Sequence, residues 1–392
     1  MSQQVLPPFQ PPPPPPPPPG QPQGYWAHGR YYGNWSPGKY LAPIDAEELN
    51  RLDILHKFFL VARDDALSVR SVDIDDRPIR VLDLGTGTGI WAIHVCEEGG
   101  LRRDATQPGI LRPRRRPEQV PEVMAVDLNR IQPAYIPWGM KVVQFDIEDP
   151  SWEDLLWNCD LVHLRTLLGS IQNSCWQAVY QNIFLHLTPG TGYLEQVEID
   201  WCPRWGIDDE VPPNSAFKEW ADKLLAALDL CDRSARVKPL EVKRMIEEAG
   251  FVDFEQRTIC CYVNPWSKDP KKRNVAKWFN LGLRYSLQAL GLMPMIEKLG
   301  MTKEQVNVLC DRAIEENTKL RYHGYCTMYI WTARKPEGSA HAARAALHPD
   351  MSIEPPQIRH VCGKVVTKRQ ATPTRGRLPG HPRRRLLRDK DE

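Results

Sequence analysis

Apolar positions recur at two different periods along this chain, and the switches between them predict its elements. Leu49, Leu52, Leu55, Phe59 and Leu60 fall at helical spacing and predict a helix over Ala46–Ala62. Asp45 stands at the N-cap position with Glu48 three residues on, the pattern of a capping box. From Ile79 to about Ile199, short apolar runs alternate with amphipathic ones. IRVLDL, VMAVDL, KVVQFDI, DLVHLRT and GYLEQVEI read as strands, IWAIHVCEE and WQAVYQNIFLHL as helices. This alternation predicts a doubly wound, mostly parallel α/β sheet. Further on, helices are expected over 215–230 and 241–249, the second closing on Gly250. Then come a strand, FVDFEQRTICCYV, two helices over about 271–290 and 302–320, and a last strand, YCTMYIWTARK.

The composition changes sharply at three places and so divides the chain. Residues 1–24 contain the run Pro11 to Pro19, a polyproline II tail that cannot build a core. Residues 25–78 form an N-terminal cap, starting with the aromatic stretch YWAHGRYYGNWSPGKY. The α/β domain occupies 79–335, and 336–392 is a basic tail low in apolar residues, expected to be disordered. A Pro- and Arg-rich segment, 99–122, separates the first helix of the domain from its second strand. At about 24 residues it is far longer than the roughly 2–6 usual for such a connection, so it reads as a disordered insertion. The formal net charge of +2 favours no charged partner, and the runs RPRRRP and HPRRRLLRDK read as solvated, so direct nucleic-acid binding is not expected. No apolar run is long enough to span a membrane, the N-terminus has no secretory pattern, and ten scattered cysteines form no CxxC. The expected compartment is therefore cytoplasmic or nuclear.

The candidate chemistry lies in VLDLGTGTGIW, residues 81–91. A strand, a glycine loop and a helix together build a nucleoside site, because bare backbone can approach the ligand and the helix start offers free N–H groups. Gly89 is followed by Ile90 and Trp91 where a P-loop needs Lys and Ser or Thr, so phosphate gripping of that kind is excluded. A dinucleotide fingerprint counted from Gly87 would end on Ala92, which is allowed. The glycines alone thus leave an NAD-dependent oxidoreductase open. The acids narrow the choice.

Asp83-Leu-Gly85-Thr-Gly87-Thr-Gly89 resembles the first motif of class I S-adenosylmethionine-dependent methyltransferases. The resemblance implies that the loop faces the methionine and ribose parts of S-adenosyl-L-methionine and that Asp83 helps to hold the amino-acid end. A carboxylate suits a cofactor carrying ammonium and sulfonium charges, and would repel a pyrophosphate. Asp127 closes the second strand, where it can accept both ribose hydroxyls. Asp146 closes the third; in the family an acid there pairs with the adenine amino group, and Ile147 would pack near the base. The expected cofactor set is Asp83, Gly85, Gly87, Gly89, Asp127, Asp146 and Ile147, with no metal.

A narrower likeness rests on other segments. PIDAEELNRLDILH at 43–56, DLVHLRTLLGSI at 160–171, LTPGTGYLEQVE, EEAGFVDF and HGYCTMYIWTARKP are similar to LaeA-type methyltransferases, fungal proteins tied to secondary metabolism. This covers about 29–336 apart from the insertion. It implies a seven-stranded, Rossmann-like class I fold with a helical N-terminal cap and a helical and β insert. It also implies one of two roles: a small-molecule O- or N-methyltransferase, or a nuclear regulator of metabolite genes acting in a protein complex.

For catalysis, His163 and Arg165 share one face of the fourth strand. His163 is a candidate general base, and Arg165 a candidate for binding a carboxylate or orienting the loop. An alternative for both is to fix the sheet end by hydrogen bonds. His56 is expected to be structural. Tyr31, Tyr32 and Trp35 could roof the site or pack in the core.

Overall fold

The computed structural model describes residues 24–36, 38–70, 77–98, 120–206 and 208–338. The proline tail, nearly all of the 99–122 insertion and the basic tail lie outside the described residues. The described chain begins with a hairpin that the sequence reading did not anticipate. Strands β1 (Gly24–Ala27) and β2 (Arg30–Gly33) pair antiparallel, Tyr25 opposite Tyr32. The turn between them uses His28 and Gly29 at φ 52° and 81°, the positive-φ pair that suits a two-residue hairpin loop.

Helix α1 (Ala46–Ala62) has the expected bounds. Asp45 caps it by accepting from the Glu48 N–H at 3.1 Å. The Glu48 carboxylate, however, turns to the Arg51 Nε at 2.7 Å, so side-chain capping here comes from Asp45. Arg30 reaches the same Asp45 with two nitrogens, both at 2.7 Å, and ties the hairpin to the start of α1.

The main sheet is built from β3 (Arg80–Leu84), β4 (Glu122–Asp127), β5 (Met140–Gln144), β6 (Leu161–Arg165), β7 (Tyr193–Arg204), β8 (Val252–Tyr262) and β9 (Tyr325–Arg334). Its order is β5-β4-β3-β6-β7-β9-β8. The first five strands are parallel, and β9 runs antiparallel between β7 and β8. This is the doubly wound class I methyltransferase arrangement. β4 pairs in register with β3, Val81 opposite Val123 and Asp83 opposite Ala125. The second strand thus docks despite the insertion before it, and Glu122, counted with that insertion above, is its first residue.

Helices α2 (Ile90–Glu97), α3 (Trp176–His186), α4 (Ala216–Leu230), α5 (Pro239–Glu248), α6 (Pro270–Leu299) and α7 (Lys303–Thr318) complete the fold. One core layer packs Leu82, Leu84, Val162 and Leu164 against Tyr180 and Ile183 of α3. Another packs Val81 and Ala125 against Trp91 and Val95 of α2. A third, made by α1, α4, α6 and α7, joins Phe58, Trp220, Phe279 and Leu309 to β7 and β9. α6 runs about nine residues beyond its expected end, through Gly291 and Pro294. Both are buried, and a side chain at 291 would stand 3.2 Å from the Trp220 indole nitrogen. Gly291 and Pro294 are packed inside the helix bundle, and α6 ends on Gly300 at φ 65°.

Candidate functional site

The strand order reverses between β3 and β6, because the chain leaves β3 toward β4 on one side and later returns to β6 on the other. That opens a crevice above the carboxyl ends of these two strands, the usual ligand position in such sheets. A cavity occupies it here. Gly85, Gly87, Asp127, Asp146, Ile147 and Arg165 line it, so six of the nine expected site residues converge. Tyr40, Leu41, Arg51, Leu52 and Leu55 close it from the N-terminal cap.

The glycine loop is shaped by its backbone. Gly85 and Gly87 have φ 69° and 60°, a region that side chains rarely enter. A Cβ at 85 would clash with Leu167 Cδ2, and one at 87 would lie 3.3 Å from Leu52 Cδ1. Bare backbone is therefore needed on this wall. Gly89 is not among the lining residues; at φ 78° it is the N-cap of α2, where it turns the loop into the helix.

Asp127 is held at the crevice by two backbone donors, Gly87 N and Asn129 N, both at 2.9 Å. Burial outweighs those bonds and pushes its carboxyl up to about 6. Asp146 accepts from Glu148 N at 3.0 Å and pairs with Lys39 of the cap. Lys39 also reaches Glu148 at 2.9 Å. Burial raises Glu148, but Arg233, the Gln172 N–H and Lys39 bring it down to about 2. One end of the cavity therefore carries Asp127, Asp146 and Glu148 in succession.

Two expected residues face elsewhere. Asp83 accepts from the Thr86 hydroxyl at 2.6 Å and pairs with His163 Nδ1 at 2.8 Å, and neither Asp83 nor His163 lines the cavity. The reason is the register: Asp83 and His163 are direct partners on adjacent parallel strands and point to the same face. There the His163 ring stacks on Trp91, centroids 3.8 Å apart and nearly coplanar. Burial lowers its pKa, and among the described residues Nε2 has no hydrogen-bond partner. His163 thus fixes the sheet end and stands away from the crevice, which corrects its candidacy as a general base. It likewise places Asp83 behind the loop as a support of Thr86.

Arg165 does reach the cavity. One of its nitrogens donates to His56 Nδ1 at 3.2 Å, and its guanidinium lies 4.8 Å over the Phe59 ring. His56 must then carry its proton on Nε2, which lies 2.9 Å from His94 Nδ1. Thr88 donates to Asp53 at 2.7 Å. These contacts clamp α1 onto the glycine loop and α2. Burial, and next the positive Arg165, press His56 down to about 2, so it is neutral and structural as expected. Tyr31 and Tyr32 are buried in the hairpin and Trp35 is exposed; none of the three lines the cavity, whereas Tyr40 does.

The opposite end of the cavity is apolar, formed by Leu167, Trp201, Leu224, Leu228, Ala235 and Leu290. One carboxylate stands there, Glu198 of β7, which the sequence reading passed over. The arrangement can hold a nucleoside at its acidic, glycine-walled end and an apolar molecule beside it.

A family model described as a methyltransferase domain matches residues 56–256, from within α1 to within β8. The chain is 53% identical over 314 residues to the secondary metabolism regulator laeA of Fusarium oxysporum f. sp. lycopersici, covering 80% of this chain and 92% of that protein. Identity is also 53%, over 313 residues, to the secondary metabolism regulator LAE1 of Gibberella fujikuroi, with the same two coverages. The secondary metabolism regulator laeA of Aspergillus flavus is 33% identical over 314 residues, 80% of this chain and 78% of that one.

Proposed function

We propose, from the premise that this chain belongs to the laeA and LAE1 family of secondary metabolism regulators with a methyltransferase domain, that its cavity binds S-adenosyl-L-methionine and serves transfer of the methyl group to an oxygen or nitrogen of a small biosynthetic intermediate. One observation carries the reading: Gly85, Gly87, Asp127, Asp146 and Ile147 line the same crevice at the carboxyl edge of a parallel sheet. These residues fit the cofactor. The two glycines leave the wall that a Cβ would fill, Asp127 can accept from ribose hydroxyls, and Asp146 from an adenine amino group. When bound, the cofactor supplies a methyl group on a positively charged sulfur. Asp83 acts on this ligand through Thr86 and the loop, and Gly89 through the start of α2. On the same reading, 25–78 is a cap and 79–335 the catalytic domain.

Calorimetry tests the assignment. The expected outcome is uptake of S-adenosyl-L-methionine and none of NAD. Uptake of NAD alone would return the loop to the oxidoreductase class.

A second reading is favoured by the names of the relatives, all regulators. In it the methyltransferase domain works inside a nuclear protein complex that governs metabolite genes. Tagged protein with and without Arg383, Arg384 and Arg385 replaced by Ala separates the two: nuclear signal lost with the arginines supports regulation. Among the described residues no helix is long and apolar enough to cross a membrane.

A further inference from the structure

Glu198 is nearly inaccessible to solvent, at 1%, yet lines the cavity at its apolar end. Burying a carboxylate is costly unless hydrogen bonds or a cation compensate. No Lys or Arg forms an ion pair with Glu198 among the described residues. Its Oε1 accepts from Leu167 N and from Gln196 Nε2, both at 3.1 Å, and more weakly from Leu168 N at 3.3 Å. Among the described residues its Oε2 has only a 3.4 Å contact to Leu168 N. One oxygen is thus anchored, and the other keeps its acceptor capacity.

The other charged groups of the cavity are committed. Asp146 and Glu148 are paired with Lys39, and Glu148 also with Arg233. Asp127 is bound to the glycine loop, Arg165 to His56, and Arg51 to Glu48, which Tyr40 also contacts. Around Glu198 itself, α3 contributes Tyr180, whose hydroxyl donates to Gln196 at 2.7 Å, and β9 contributes its strand partner Tyr329. From α4 and α6 the cavity receives only apolar side chains, Leu224, Leu228 and Leu290.

We propose that Glu198 is the proton acceptor of the transfer, and that the apolar chamber before it takes a hydrophobic acceptor bearing one weakly acidic hydroxyl, a phenol or an enol. This deepens, and rests on, the methyltransferase reading above. The step balances as follows. The acceptor oxygen bonds to the methyl carbon, the carbon–sulfur bond breaks, and its electron pair stays on sulfur. The hydroxyl proton passes to Glu198 Oε2 and leaves to water once the product departs. Burial raises the Glu198 pKa to about 7, close to where a general base works best at neutral pH. An anionic acceptor would face the Glu198 carboxylate in this chamber and is disfavoured.

The test needs no knowledge of the natural acceptor. The full-length protein, loaded with S-adenosylhomocysteine, is titrated with 2-naphthol, a neutral fluorescent phenol, and with naphthalene, across the pH range around 7. A phenol donates more strongly to the carboxylate than to the carbonyl oxygen of the carboxylic acid. Wild-type affinity for 2-naphthol should rise about tenfold as Glu198 ionises, while naphthalene binding stays level. Glu198→Gln should lose that pH dependence, and Glu198→Asp should keep it with its midpoint displaced. If wild-type 2-naphthol binding is level with pH, absent, or unchanged in profile in Glu198→Gln, the proposal is overturned. Should either variant fail to fold, the wild-type contrast between the two probes still decides. Failure of S-adenosylhomocysteine itself to bind would overturn the methyltransferase reading, which is a separate result.

Discussion

Asp83 and His163 are partners across the β3–β6 pair, 2.8 Å apart and both buried, with His163 lying flat on Trp91. The contact makes His163 a structural residue. His163→Ala leaves a void beside Trp91 and an unpaired Asp83 carboxylate oxygen. Together these should cost about 2–5 kcal/mol of unfolding free energy. Urea denaturation would measure it. Intact stability combined with abolished methyl transfer would instead restore His163 as a catalytic group.

Gly87→Val should remove S-adenosyl-L-methionine binding, as judged by calorimetry. The cause is twofold: a β-branched residue is strained at φ 60°, and its Cβ crowds Leu52 of the cap. Gly85→Ala should also weaken binding, by at least about tenfold, since its Cβ drives into Leu167 and shifts that side chain in the cavity. Unaltered affinity in Gly87→Val would refute the loop assignment.

Lys39 occupies the Asp146 carboxylate that the adenine amino group is proposed to use. A part-exposed ion pair of this kind is worth about 0.2–1 kcal/mol, so Lys39→Met should tighten cofactor binding by up to about fivefold. Weaker binding would show that Lys39 contacts the ligand in a closed cap.

Stability should depend on pH through His56. The folded protein holds it neutral to about pH 2, whereas the unfolded chain protonates it below its ordinary value of 6.5. Its folded pKa is lowered, so its contribution is present above 6.5 and is lost as pH falls below it, by up to about 1.4 kcal/mol per pH unit. Glu198 acts oppositely: its folded value of about 7 exceeds the ordinary 4.5, so it destabilises the fold as pH rises through that interval. Urea unfolding at pH 7 and pH 5.5 should therefore show His56→Phe losing less stability on acidification than wild type, and Glu198→Gln losing more. Parallel pH profiles for all three proteins would contradict this.

The framework was legible in the sequence where period and punctuation agree. Helix α1 follows from the cap Asp45 and the leucine spacing. The strand–glycine–helix order located Gly85 and Gly87, and the strand-end acids Asp127 and Asp146 meet them in the crevice. What stayed hidden depends on partners distant in sequence. The direction of Asp83 is set by its register with His163, 80 residues later. The β1–β2 hairpin has strands of only four residues, too short to reveal an alternation. Glu198 sits inside an apparently ordinary strand, yet Glu195, Gln196 and Glu198 are all buried there. These polar residues, with Asp200, in one strand were the available signal, because a strand covered on both faces has no solvent side to excuse them.

The placement of β9 bears on how this protein can be made. It is the last strand of the sheet to leave the ribosome, and it sits between two strands synthesised long before it. Until about residue 334 has emerged, β7 and β8 each present a bare hydrogen-bonding edge more than ten residues long to the crowded cell. The strands around the nucleoside crevice precede β9 in the chain, so the edges that β9 will cover stay open to pairing with other chains until the final strand closes the gap.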